Sequence, residues 1–137
     1  MINYKQYKIK GFLTTSNIEI IDIIKAWIAI SIAFGLVLGG TTIKFFSSLI
    51  VSAVAVGLGF LLHELSHKLV AQYYHYRAEF RSFDQMLLLA IIMGFLGFVI
   101  AAPGAVMIEA RENNIKKTGH ISIAGPLMNL ILALIFL

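Results

Sequence analysis

Residues 45–67 read FFSSLIVSAVAVGLGFLLHELSH, an uncharged run from Phe45 to Leu62 that closes on His63-Glu64-Leu65-Ser66-His67. As a helix such a run is long enough to cross a bilayer core, which takes about 20 mostly apolar residues, range about 17–25. Helical geometry puts residues four apart on one face, so the two imidazoles stand one above the other. An HExxH pair of this kind can hold one zinc ion, with Glu64 as general base. Glu64 lies about 100° round the helix from His63, close enough to reach a water at the metal without ligating it. A water-splitting metal at membrane depth implies hydrolysis inside, or at the edge of, the lipid.

Composition agrees with that setting. Apolar residues make up 59% of the 137-residue chain and charged residues 13%, against about 45–50% and about 25% in soluble domains. A core of this size cannot absorb the surplus, so lipid must solvate much of it. The absence of cysteine excludes disulfides, a thiolate metal site and a cysteine nucleophile. The net charge of +4 is spread over loops, with no basic stripe or interleaved aromatics, which argues against nucleic acid as a partner. Charged and polar residues up to Lys25 precede the first apolar run, unlike a signal peptide.

Four uncharged stretches stand out: Ala26–Ile43, Phe45–Leu62, Met86–Ile108 and Ile121–Leu137. The first two predict a helical hairpin turning near Gly39-Gly40-Thr41-Thr42, with Gly35 and Gly39 as a close-approach step. Lys5, Lys8, Lys10 and Lys25 precede the first span, and Lys68, Arg77 and Arg81 follow the second. The positive-inside rule then makes residues 1–25 and 68–85 cytoplasmic and puts the HExxH string near the cytoplasmic end of its helix. The third stretch holds Gly94, Gly97 and Pro103-Gly104, so Met86–Ala102 is expected to dip into the membrane and return. Ala105–Glu109 and His120–Ile123 look like strands of a short β-hairpin round a polar turn, Arg111–Thr118, and Gly125-Pro126 looks like the start of a last helix. The expected class is an all-α membrane protein with three transmembrane helices, a re-entrant segment and a short β-hairpin. Residues 1–25 form a cytoplasmic segment and 26–137 a membrane-embedded core.

The remaining polar residues carry less. Ser48, Ser52, Ala55 and Gly59 form a small-residue stripe leading to His63. Asn129, in the last helix, serves either as an interhelical bond or as a donor to a substrate carbonyl or oxyanion. His75, amid tyrosines, reads as part of an interfacial aromatic cluster, and His120 as a remote candidate for a third ligand. Asp84 and Glu79 are read as solvated.

From Phe45 onward the chain resembles the site-2 protease family of intramembrane zinc metalloproteases. The matching elements are His63-Glu64-Leu65-Ser66-His67 in a membrane helix, the strand-like Pro103-Gly104-Ala105-Val106-Met107, and Ile121-Ser122-Ile123-Ala124-Gly125-Pro126-Leu127-Met128-Asn129. The resemblance implies His63 and His67 as zinc ligands, Glu64 as the catalytic base and cleavage of transmembrane protein substrates within the bilayer. It also implies strands that bind unwound substrate by edge addition. In that family an aspartate of a later helix completes the metal site. The chain ends before such a residue, so it is expected to be an N-terminal part of a longer enzyme or a degenerate member.

Two other classes compete: a membrane metal carrier and a non-catalytic membrane helix-binding protein. A carrier needs polar ligands at matching depth in other helices, where the first span offers Ser31 and the last Asn129. The lipid bilayer and a membrane substrate are the expected partners, and a second copy is a candidate. Because the chain lacks cysteine, a single Lys116→Cys is a clean topological reporter. It is expected to resist a membrane-impermeant maleimide added outside the cell, and labelling there would mean that Met86–Ala102 crosses the bilayer.

Overall fold

The computed structural model describes residues 6–10, 13–110 and 114–137. Lys5, counted above among the orienting cations, and residues 111–113 of the polar turn lie outside the described residues. Strands β1 (Gln6–Lys10) and β2 (Leu13–Ser16) pair antiparallel. Helix α1 (Asn17–Gly39) follows, then α2 (Phe45–Ser52), a π-helical turn (Ala53–Gly57) and α3 (Leu58–Tyr73). Strand β3 (Arg77–Ser82), helix α4 (Asp84–Phe95), strand β4 (Gly104–Glu109) and helix α5 (Ile115–Ile135) complete the chain. β3 and β4 form a second two-stranded sheet.

Three helical stretches are long and apolar enough to cross a membrane: Asn17–Gly39, the continuous Phe45–Tyr73, and Ile115–Ile135. At 1.5 Å per residue the shortest is about 31 Å long, which matches a hydrocarbon core of about 30 Å. α4 has 12 residues, about 18 Å, and cannot span one. Ile28, Leu38, Phe46, Ile50, Val54 and Leu134 stay uncovered by protein, an arrangement that only an apolar solvent tolerates on this scale.

The chain divides into two compact units. One comprises residues 23–61 and 82–105. Here α1 ends at Gly39, and Gly40, with φ at +57°, turns the chain. A β-carbon on Gly35 would stand 3.1 Å from Leu49 Cα, and one on Gly39 2.9 Å from Phe45 Cα, so the glycine step does let α2 lie close. Gly94 similarly admits the Ala33 backbone: its β-carbon would meet the Ala33 carbonyl oxygen at 2.8 Å. Lys25 Nζ donates to Asp84 at 2.8 Å, and Ser82 Oγ donates to the same carboxylate. Asp84 is thus exposed but paired, and the Lys25 ammonium holds its carboxyl below the usual carboxylate range.

The π turn explains why the small-residue stripe departs from its predicted spacing. A π turn takes one residue more than an α turn, so the buried face steps from Ser52 to Gly57 and leaves Ala55 exposed. No heavy atom comes within 4 Å of a β-carbon built on Gly59. At the turn Trp27 Nε1 donates to the Ala53 carbonyl at 3.0 Å, satisfying an acceptor there. Gly57 is what admits the indole, because any β-carbon at 57 would overlap Trp27 Nε1.

The other unit comprises residues up to 22, 62–81 and 106–137. Its core gathers Ala71, Tyr76, Ala78 and Ile121, with Val70, Tyr74, Val106 and Ile108 packed against them. Gln72, 2% exposed, ties α3 to β2 and β3. Its Nε2 donates to the carbonyls of Thr14 and Ala78, each at 3.0 Å, and its Oε1 accepts from Thr14 N–H at 3.2 Å.

Four expectations are corrected. His120–Ile123 is not a strand but lies inside α5, and β4 pairs with β3 instead. Gly125-Pro126 does not open the last helix: Asn114 caps it, its side chain accepting from Lys117 N–H at 3.2 Å, and Pro126 lies in the interior. A capped apolar helix of this length outweighs the weak strand preference of Ile121 and Ile123. α1 begins at Asn17 rather than near Ala26, with Glu19 and Asp22 buried within it. Glu79 is half-buried and paired with Arg81, not solvated.

Gly57→Val should force the indole off Ala53. The expected cost is about 1–3 kcal/mol, the usual range for overpacking. Trp27 is the sole tryptophan, so its fluorescence should shift with the fall in melting temperature. An unchanged emission spectrum would refute this account of the turn.

Candidate metal centre

α3 carries the three motif residues, all half-buried. Their relative placement follows from helix geometry: the rings of His63 and His67 have centroids 4.8 Å apart, and their Nε2 atoms lie 3.2 Å apart. Two nitrogens bound to one zinc at about 2.0–2.1 Å and a tetrahedral angle stand about 3.3–3.4 Å apart. The pair therefore already has the separation of two ligands on one ion.

The outer ring nitrogens are tethered by α5. His67 Nδ1 donates to the Ile121 carbonyl at 2.7 Å. A carbonyl only accepts, so this bond puts the proton on Nδ1 and leaves a lone pair on Nε2, the tautomer a metal needs. His63 Nδ1 meets Asn129 Nδ2 at 3.0 Å. With the amide donating, His63 keeps its proton on Nε2 and gives it to His67. Holding a cation needs a lone pair on both Nε2 atoms, so His63 must carry its proton on Nδ1 and Asn129 must present Oδ1. A half-turn of the amide provides it, and amide oxygen and nitrogen differ little in shape.

Gly125 makes this approach of α5 possible. A β-carbon there would stand 2.6 Å from His63 Nε2 and closer still to His67 Nε2. One residue later Pro126 lacks an N–H, so the helix loses the hydrogen bond to the Ser122 carbonyl. The carboxyl of Glu64 lies near the backbone of Val106, which places β4 beside the general-base candidate.

Of the sequence candidates, His63, Glu64, His67 and Asn129 come together, Asn129 through the ring of His63. His120 is engaged elsewhere: Tyr74 Oη and His120 Nδ1 are 2.6 Å apart and the two rings stack. The aromatic cluster at the end of α3 is built on Tyr73, Tyr74 and His120, with Lys117 Nζ over Tyr74 and Tyr76. Among the described residues no group of three histidines, cysteines or carboxylates converges, so the arrangement offers two nitrogens that could ligate a metal, with their outer bonds. Sequence reasoning gives Gly125 a part only in a helix start, and the Ile121 carbonyl none. The glycine four residues before Asn129 is the available signal for the first, and a backbone oxygen leaves none.

The sequence profile of Peptidase family M50 matches residues 51–137. A protein of Methanocaldococcus jannaschii named "Putative zinc metalloprotease MJ0611" is 39% identical over 124 residues, covering 88% of this chain. The match spans 61% of that relative's length. No solved structure matches. With a family match over residues 51–137 that takes in the whole HExxH helix end and α5, the chain belongs to peptidase family M50.

Proposed function

We propose that the chain carries the metal-holding part of an intramembrane zinc metalloprotease. The observation that carries this reading is the pair of Nε2 atoms 3.2 Å apart in an apolar helix, with Glu64 between them in sequence. His63 and His67 would hold the zinc ion. When bound, the ion supplies the Lewis acidity that makes water a nucleophile at neutral pH.

The chain's own groups do the rest. Glu64 takes the proton of the attacking water and hands it to the departing amine as the peptide C–N bond breaks. Ile121 and Asn129 hold the imidazole planes through Nδ1, an arrangement whose loss typically costs about 10–100-fold in metal affinity or activity. Asn129 in this role serves the ligand His63. An oxyanion role would require it to leave that ring and donate to the substrate carbonyl.

β4 passes beside Glu64 at Val106, so a substrate segment laid along the β3–β4 sheet would bring its backbone near the proton acceptor. A membrane helix hides its backbone in its own hydrogen bonds, and unwinding against a strand exposes the peptide bond. The substrate class is accordingly a transmembrane protein, cut near the cytoplasmic face. That side is supported by the cations flanking α1 and α3.

In the full-length protein, Glu64→Gln should keep stoichiometric zinc while cleavage of a membrane-embedded substrate falls about 10²–10⁴-fold, the usual worth of a general acid–base group. Unimpaired cleavage by that variant would refute the proteolytic reading, and wild-type zinc transport without cleavage would favour a carrier. Gly125→Val should abolish zinc uptake, because its side chain must displace both imidazoles. Elemental analysis showing full zinc in that variant would contradict the geometry.

A further inference from the structure

The polar cluster most buried in the protein lies outside the site just described. Glu19 is fully buried and Lys68 is 6% exposed. Lys68 Nζ donates to Glu19 Oε2 at 2.5 Å, and Thr15 Oγ1 donates to the same oxygen at 2.7 Å. Glu19 Oε1 accepts the Phe80 backbone N–H at 2.9 Å. The N–H of Glu19 donates to Ser16 Oγ at 3.2 Å, which makes Ser16 the cap of α1. In an ordinary capping box the glutamate returns to the cap residue's own N–H. This one reaches outward instead, and a single carboxylate joins the start of α1, helix α3 and strand β3.

We propose that Glu19 is a positioning residue for the metal centre: through Lys68 it fixes the rotation of α3 against β3. The proposal rests on the reading that His63 and His67 hold zinc. Lys68 directly follows His67, so pinning its ammonium pins the helix at the turn that bears the ligands. A ring nitrogen lies about 6 Å from the helix axis, and a 10° rotation would move it about 1 Å. A hydrogen bond of 2.7 Å such as His67 to Ile121 does not survive that displacement.

Stability alone is a poor explanation of the cluster. A buried ion pair is often no better than well-packed apolar residues of similar size. What apolar residues cannot do is accept the Phe80 N–H and hold a lysine in one direction at once. The pair therefore contributes direction, and the predicted consequence that tests it is read in the metal.

The test compares zinc affinity in full-length wild type and two variants, alongside thermal melting. The double variant Glu19→Leu/Lys68→Met removes both charges without stranding either. It leaves the Phe80 N–H without its acceptor, so it is expected to melt below wild type while still folding, and to bind zinc about tenfold more weakly, the low end of the outer-sphere range. Should it fail to fold, Glu19→Asp decides. It keeps the charge that Lys68 needs but draws the carboxylate back by one methylene, and should weaken zinc at least threefold with visible absorption of the cobalt-loaded form altered. Folded variants with wild-type zinc affinity and an unchanged cobalt spectrum would overturn the proposal, as would a wild type that takes up no zinc. Zinc-loaded wild type that cleaves no membrane substrate refutes the proteolytic reading alone, because the affinity comparison needs no turnover.

Discussion

The close contact of α5 with the two imidazoles of α3 is the constraint on which the rest of the candidate metal centre depends. An i, i+4 histidine pair on a helix brings two rings near one another, but each ring can still turn about its own bonds. Tying His67 Nδ1 to a carbonyl and His63 Nδ1 to an amide restricts that freedom, and the carbonyl also leaves the lone pair of His67 on Nε2. Both tethers come from one helix, and that helix can approach only because residue 125 has no side chain. Glycine here is a steric requirement of the neighbouring rings and not of its own backbone angles.

A second constraint is the solvent. Ionisable and hydrogen-bonding groups are costly in apolar surroundings unless paired, and several of those buried here are satisfied by neighbours drawn from far along the chain. Gln72 is bonded by Thr14 and Ala78, and Trp27 meets the carbonyl at the π turn. Glu19 takes up Lys68. Each arrangement ends a polar group on a protein partner, which is the rule that membranes enforce for backbone and side chains alike.

How much of this was legible in the sequence follows from the range of each interaction. Periodicity and length are local, so the spanning helices, the glycine turn at Gly39-Gly40 and the facing imidazoles could all be read from short windows. β4 was legible for the same reason, since Ala105–Ile108 is short, apolar and follows Pro103-Gly104. Its partner was not, because pairing with β3 joins residues separated by α4. The position of Glu19 was half-legible: Ser16 and Glu19 have capping spacing, but the ends of its carboxylate bonds lie at Lys68 and Phe80, which no local window contains. The π turn was hidden because nothing in Ala53-Val54-Ala55-Val56-Gly57 distinguishes five residues per turn from four. Its sign is the indole of Trp27, many residues away.

The misreading of Gly125-Pro126 carries the most physics. Proline suits a first helical turn because it lacks an N–H, and on that ground the pair looks like a beginning. In the interior the same deficit opens the helix locally, by freeing the Ser122 carbonyl and pressing the ring against the preceding turn. Ile121, Gly125 and Asn129, each one turn from the next on the face toward α3, all lie against the imidazoles. The Ile121 carbonyl accepts from His67 while the helix continues unbroken to Asn129, two turns further on. A residue pair suited to a helix start thus lies inside one, where the missing side chain of Gly125 makes room for two rings of another helix.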